Sequence, residues 1–198
     1  MKDIRHGRPT RESGLVYKEI HLGLRKLLIH LGENPDREGL KDTPSRVLRA
    51  FLEMTIGYQQ DPEQILRTRF SATYDEMVIL KDVSFSSLCE HHLMPFTGVV
   101  HLGYLPSRKV VGLSKIARLV ECYAKRLQIQ EQMTQQIAKD LMQYLKPKGA
   151  GVVIEASHQC MSCRGVTKPG SKMITTSMLG AFRNDPRTRA EFQSMIGK

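Results

Sequence analysis

Glu76-Met77-Val78-Ile79-Leu80-Lys81-Asp82-Val83-Ser84-Phe85-Ser86-Ser87 runs directly into Leu88-Cys89-Glu90-His91-His92-Leu93-Met94-Pro95. The first half is rich in strand formers. The second half packs a thiol, a carboxylate and two imidazoles into consecutive positions, a density of coordinating and proton-transfer groups that a hydrophobic core does not require. Val99-Val100-His101-Leu102-Gly103-Tyr104-Leu105-Pro106 reads as the next strand, after a bend from Pro95 to Gly98. The motif therefore sits where a strand ends and turns. On an ideal strand Cys89 and His92 face opposite sides, so the chain must bulge or turn if both are to hold one ion. Cys-x-x-His supplies two ligands and a zinc site takes at least three from protein, so a distant segment has to complete it.

Downstream, Gly151-Val152-Val153-Ile154-Glu155-Ala156-Ser157-His158-Gln159-Cys160 has the composition of a strand, and alternation puts His158 and Cys160 on one face. This is the expected distant partner. Lys172 to Leu179 reads as a further strand, and Asp185-Pro186 opens a last helix through Phe192 and Met195. Between the strand pairs, Ser114 to about Leu127 is helical, with Ser114 as its N-cap and Lys115 and Arg118 on one face near its start. A second helix runs from about Glu131 to Leu145, after an interruption at Gln128-Ile129-Gln130-Glu131. By itself Glu131 reads as an ordinary acidic residue at a helix N-terminus.

Upstream, Val16, Ile20, Leu24, Leu27, Leu28 and Leu31 recur at helical spacing, ended by Gly32. Thr43-Pro44 begins another helix, with Thr43 as cap and Arg46 and Arg49 on one face. This order of elements indicates an α+β fold: an antiparallel sheet with helices packed on one face, plus an N-terminal helical extension. The expected organisation is a flexible arm over residues 1–15, a helical region over 16–58 and a catalytic domain over 59–198.

The 198 residues carry a formal charge of +10, which favours anionic partners. Trp is absent and the basic residues are scattered along the chain, so a nucleic-acid partner is not expected. No apolar run approaches the ~20 residues of a membrane helix, and the N-terminus lacks the apolar core of a signal peptide, so the expectation is a cytoplasmic protein without a membrane partner. In that setting four cysteines argue for metal binding or reduced thiols over disulfides. Two completions of the metal site compete. Cys89, His92, Cys160 and Cys163 make a closed structural site, whereas Cys89, His92 and Cys160 leave a position open for catalysis.

Glu76 through His92, and Lys125-Arg126-Leu127-Gln128-Ile129-Gln130-Glu131 through Thr134, resemble the two signatures of GTP cyclohydrolase I. The resemblance runs from Leu31-Gly32-Glu33-Asn34-Pro35 to Asp185-Pro186-Arg187-Thr188-Arg189 and onward to Phe192. It implies the tunnelling fold, assembled as a homodecamer with active sites at subunit boundaries. It also implies hydrolysis of GTP to 7,8-dihydroneopterin triphosphate and formate, the first step of folate or tetrahydrobiopterin biosynthesis, with control by allostery or a regulatory protein. Matching the motifs position by position, the resemblance implies Zn2+ on Cys89, His92 and Cys160, with Cys163 outside the ligand set. His91 and His158 then correspond to the proton-transfer histidines, with Ser114 assisting at the ribose. Glu131 and Gln130 correspond to the guanine pocket, and Ser114, Lys115, Arg118, Arg164, Arg46 and Arg49 to the triphosphate group. The chain departs from the usual pattern at Gln132, where the family has Arg or Asn, and at Cys163, where it requires no cysteine.

Overall fold

The computed structural model describes residues 11–71 and 73–197, so residues 1–10 of the arm expected over 1–15 lie outside the described residues, while residues 11–15 of it are helical. The chain divides into two compact units, one through Gln59 and one from Gln60. In the first, helix α1 spans Arg11–His30 and α2 spans Thr43–Met54. Helix α1 thus starts ahead of the expected Val16, and its apolar residues Val16, Ile20 and Leu27 remain exposed. The Tyr17 hydroxyl donates to Ser45 Oγ at 3.0 Å, linking the two helices. The cap position of α2 is Asp42, not the expected Thr43, which lies one residue inside the helix with Pro44 behind it. That placement suits proline, whose missing N–H is an orphan of the first turn in any case.

The second unit begins with α3 (Pro62–Leu66) and β1 (Arg69–Ser71). Strands β2 (Val78–Cys89), β3 (Pro95–Leu105) and β4 (Lys109–Val111) follow, then α4 (Leu113–Ala124), β5 (Leu127–Gln128) and α5 (Gln130–Asp140). The chain closes with β6 (Gly149–His158), α6 (Gln159–Ser162), β7 (Met173–Gly180), α7 (Ala181–Asn184) and α8 (Pro186–Ile196). The main sheet has the order β5-β2-β3-β6-β7, with every pair antiparallel except β5 beside β2; β1 and β4 pair separately. Among the described residues no helix is long and apolar enough to cross a membrane.

Alternation along the strands divides the core. Val152 and Ile154 join Phe96, Leu102, Ile116, Leu119, Met133 and Ile137 under α4 and α5. Val153, between them, packs on the opposite side with Phe182, Phe192 and Ile196 of α7 and α8. The expectation of helices on one face is therefore corrected: the Phe182 and Phe192 rings, 5.3 Å apart and both inaccessible, also seal part of the other. Asp185 caps α8 as expected, its carboxylate accepting from the Arg187 N–H at 2.9 Å.

Several boundaries differ from the sequence reading. Helix α4 is capped at Gly112, so Ser114 falls within its first turn. Helix α5 is regular only to Asp140 and widens into a π turn over Leu141–Leu145, which keeps both of those leucines buried. The expected bend from Pro95 to Gly98 is already strand, and Gly98 explains how β3 passes there. A Cβ at Gly98 would lie 2.0 Å from the Glu155 carbonyl oxygen of β6 and 2.7 Å from Ala156 Cα, so only glycine permits this approach. Gly98→Ala is expected to lower unfolding stability by about 2 kcal/mol or more; an unchanged denaturation midpoint would contradict this packing.

Candidate functional site

Three strands finish or start at one end of the sheet. Ser87 of β2 pairs with Phe96 of β3, and Phe96 pairs with His158 of β6, so these residues form one row. Beyond that row the chain leaves β2 at Cys89, enters a turn and returns at Pro95. The Cys89 N–H donates to the Met94 carbonyl at 2.8 Å and the Leu93 N–H to the Cys89 carbonyl at 2.8 Å, with Leu93 in the left-handed region at φ 56°. This is the turn that Cys89 and His92 were expected to need. The Glu90 N–H donates to the Gln128 carbonyl at 3.1 Å, tying the turn to β5.

On the neighbouring strand, His158 is the last residue of β6. Cys160 lies on the helical turn α6, not on the strand, so the expected shared strand face is replaced by a reversal of the chain. The result brings the ligand atoms of Cys89, His92 and Cys160 within 4.8 Å of one another. Cys89 Sγ and His92 Nδ1 are 3.7 Å apart. Tetrahedral zinc with Zn–S of about 2.3 Å and Zn–N of about 2.0 Å sets an S···N edge of about 3.6 Å, so this pair fits a metal with little adjustment. Cys163 turns away: its thiol donates to the Gln159 carbonyl at 3.0 Å and touches Met94 Sδ at 3.8 Å. Of the two completions, the geometry assembles the three-ligand one.

Burial pushes the Cys160 thiol above its ordinary pKa, the neighbouring Cys89 adds to this, and Arg164 opposes both. A metal bound by both sulfurs would hold them as thiolates.

His91 lies beside the trio, its Nδ1 3.9 Å from Cys89 Sγ and its Nε2 3.9 Å from Glu90 Oε1. His158 is held more firmly. Its ring stacks on Phe96 with centroids 4.6 Å apart and planes 2° from parallel, and its Nε2 is 2.8 Å from Gln130 Oε1. Burial lowers its pKa, against the pull of the Glu131 carboxylate. Glu131 itself is exposed on the first turn of α5, whereas Gln130 is buried and has its amide engaged within the chain.

The remaining expected residues divide. Lys115 and Arg118 line a cleft of about 460 Å³ with Gln60, Asp61, Gln64, Ile65 and Glu121, so acidic side chains share the wall with the two cations. Ser114 is exposed near the start of the same helix. Arg46 and Arg49 are exposed on α2 of the first unit, where Arg46 pairs with Asp42 at 3.3 Å. Two supports escaped the sequence reading. Phe96 fell in the expected bend, though its place one residue into a strand beside Pro95 was a usable signal; Thr175, behind Gln130, carried none.

The trio predicts a simple pattern of metal retention. Cys89→Ser and Cys160→Ser each lose the bound divalent metal, whereas Cys163→Ser keeps it at wild-type stoichiometry, as read by elemental analysis after gel filtration. Retention by Cys160→Ser would contradict the three-ligand assignment.

The sequence profile of the GTP cyclohydrolase I family matches residues 20–197. A protein of Synechococcus sp. (strain JA-2-3B'a(2-13)) named GTP cyclohydrolase 1 is 57% identical over 171 residues, covering 86% of this chain and 75% of its own. Another of that name, from Streptomyces griseus subsp. griseus, is 52% identical over 181 residues, covering 90% of each chain. Among solved structures, the archaeosine synthase QueF-Like in the apo form shares 16% identity with a TM-score of 0.46, covering 55% of this chain and 97% of its own.

Proposed function

This chain belongs to the GTP cyclohydrolase I family, and we propose that the Cys89, His92 and Cys160 cluster with its flanking histidines is its active centre. The enzyme converts GTP and water to 7,8-dihydroneopterin triphosphate and formate in pterin biosynthesis. One observation carries the assignment of the centre: a Cys-His-Cys trio within 4.8 Å, with a stacked and hydrogen-bonded histidine at the end of the adjoining strand.

The metal is Zn2+, for which two thiolates and an imidazole are a suitable donor set. When bound, zinc lowers the pKa of a coordinated water toward ~7 and so provides the nucleophile for opening the guanine imidazole ring. The protein's side chains manage the protons and the charge. His158 donates a proton to the ring nitrogen as C8 is attacked, and exposed His91 relays protons during loss of formate and rearrangement of the ribose, with Ser114 assisting there. The Glu131 carboxylate accepts from the guanine N–H groups, which selects this base by paired hydrogen bonds. Lys115, Arg118 and Arg164, with Arg46 and Arg49, neutralise the triphosphate. The acidic lining contributed by Asp61 and Glu121 gives Lys115 and Arg118 local counter-charges in the free protein.

The architecture we assign is the tunnelling fold, with residues 16–58 as a helical extension and 59–198 as the catalytic domain. The assembly is a cytoplasmic homodecamer that completes each site with residues of adjoining subunits. Its product feeds folate or tetrahydrobiopterin synthesis, and a regulatory protein or allosteric effector acts on the assembled form.

Incubation of the zinc-loaded protein with GTP is expected to release formate and yield a product that oxidises to a fluorescent pterin. Failure to release formate would refute the reading. Arg164→Ala is expected to weaken GTP binding about tenfold while leaving guanosine binding within twofold, since a charge-assisted contact to phosphate is worth roughly 1.5 kcal/mol. Equal losses for both ligands would remove Arg164 from the triphosphate group.

A further inference from the structure

Gln130 sits at the first position of α5, is 1% exposed, and spends all of its polar atoms inside the protein. Its Nε2 lies 3.1 Å from the Ile154 carbonyl of β6, 3.0 Å from the Met173 carbonyl of β7 and 3.1 Å from Thr175 Oγ1. Carbonyl oxygens only accept, so the amide nitrogen has to face them and the orientation of the side chain is determined by chemistry. Thr134 braces the arrangement, donating to the Gln130 carbonyl at 2.7 Å and meeting Thr175 Oγ1 at 2.6 Å.

With the nitrogen so committed, Oε1 points at His158 Nε2, 2.8 Å away. An amide oxygen cannot donate, so the proton in this bond belongs to the histidine. Phe96, parallel to the imidazole at 4.6 Å, holds the ring in the plane that this bond requires. We propose that Gln130 is a positioning residue: it fixes His158 as the Nε2–H tautomer and leaves Nδ1 as the nitrogen through which protons are exchanged. The assignment rests on the reading of His158 as a proton donor and adds the atom at which it acts. When the imidazolium gives up its proton, the Nδ1–H bond breaks and an N–H bond forms on the substrate. The neutral ring that remains keeps its Nε2 proton on Gln130. Recovery of a proton from water at Nδ1 restores the starting state, and the bond to Gln130 is made in both states. Gln130 then has no direct contact with guanine, in contrast to the pocket role implied by family resemblance.

Two measurements test this on the metal-loaded protein. Neutron diffraction from deuterated crystals grown above the titration range of the imidazole should show a deuteron on His158 Nε2 and none on Nδ1. A deuteron on Nδ1 with a bare Nε2 would overturn the proposal. In steady-state kinetics Gln130→Leu should lower kcat about 10–100-fold, the usual scale for losing a group that orients a working histidine, with KM for GTP within threefold of wild type and the metal retained. A rise in KM with kcat preserved would instead make Gln130 a substrate contact, and unchanged kinetics would leave it a packing residue; either result overturns the assignment. Absence of GTP turnover in the wild-type protein would count against the proposed function, while the neutron map would still report the tautomer.

Discussion

The register of β2, β3 and β6 at one end of the sheet is the constraint on which the site depends. It sets Ser87, Phe96 and His158 in a single row and places the exits of β2 and β6 side by side. Side chains alternate with period two, so a slip of one residue would carry His158 to the far face, away from Phe96 and Gln130. The Cys89 turn and α6 would then also diverge. Gly98 protects this register, because the backbone of β6 comes closer to it than any side chain permits. The core has the same dependence: Val152 and Ile154 meet α4 and α5 only while Val153 meets Phe182 and Phe192.

Charge organises the rest of the molecule. A chain with a formal charge of +10 repels itself unless its cations are dispersed or paired, and both solutions are visible. Arg46 pairs with Asp42, Arg37 with Glu33 and Lys172 with Glu155, all at exposed or partly exposed positions where such pairs contribute little to stability. Lys115 and Arg118 share their cleft with Asp61 and Glu121, which balances the cations without burying them. The cluster at the sheet end follows the opposite logic. Its two thiols are crowded and partly desolvated, an arrangement that becomes favourable when a metal accepts their lone pairs.

Much of this was legible from residue pattern. The Cys89 to His92 run announced both a ligand pair and a turn, and strand composition around His158 marked the distant partner. Boundaries were harder, for identifiable reasons. Cys160 was counted along a strand that ends two residues earlier, because nothing in Gln159-Cys160-Met161-Ser162 distinguishes a helical turn from an extended edge. Strands β1, β4 and β5 are too short to carry a periodic signal. Gln130 was assigned to the guanine pocket through the family resemblance alone, and its burial is imposed by carbonyls from β6 and β7 that no local pattern reveals. Helix α1 shows the reverse: its spacing was read correctly, yet Val16, Ile20 and Leu27 stay exposed.

In the role proposed for His158, its stacking on Phe96 has a consequence for how the barrier to reaction divides between enthalpy and entropy. A histidine on a loop has to be immobilised each time a substrate arrives, and that loss of freedom is charged to every catalytic cycle. Here the ring is clamped flat between strands that are already paired, and its rotational freedom is surrendered when the sheet forms. Ordering is thus met once per folded molecule, and the thermal robustness of turnover becomes coupled to the cohesion of the β3 and β6 ladder.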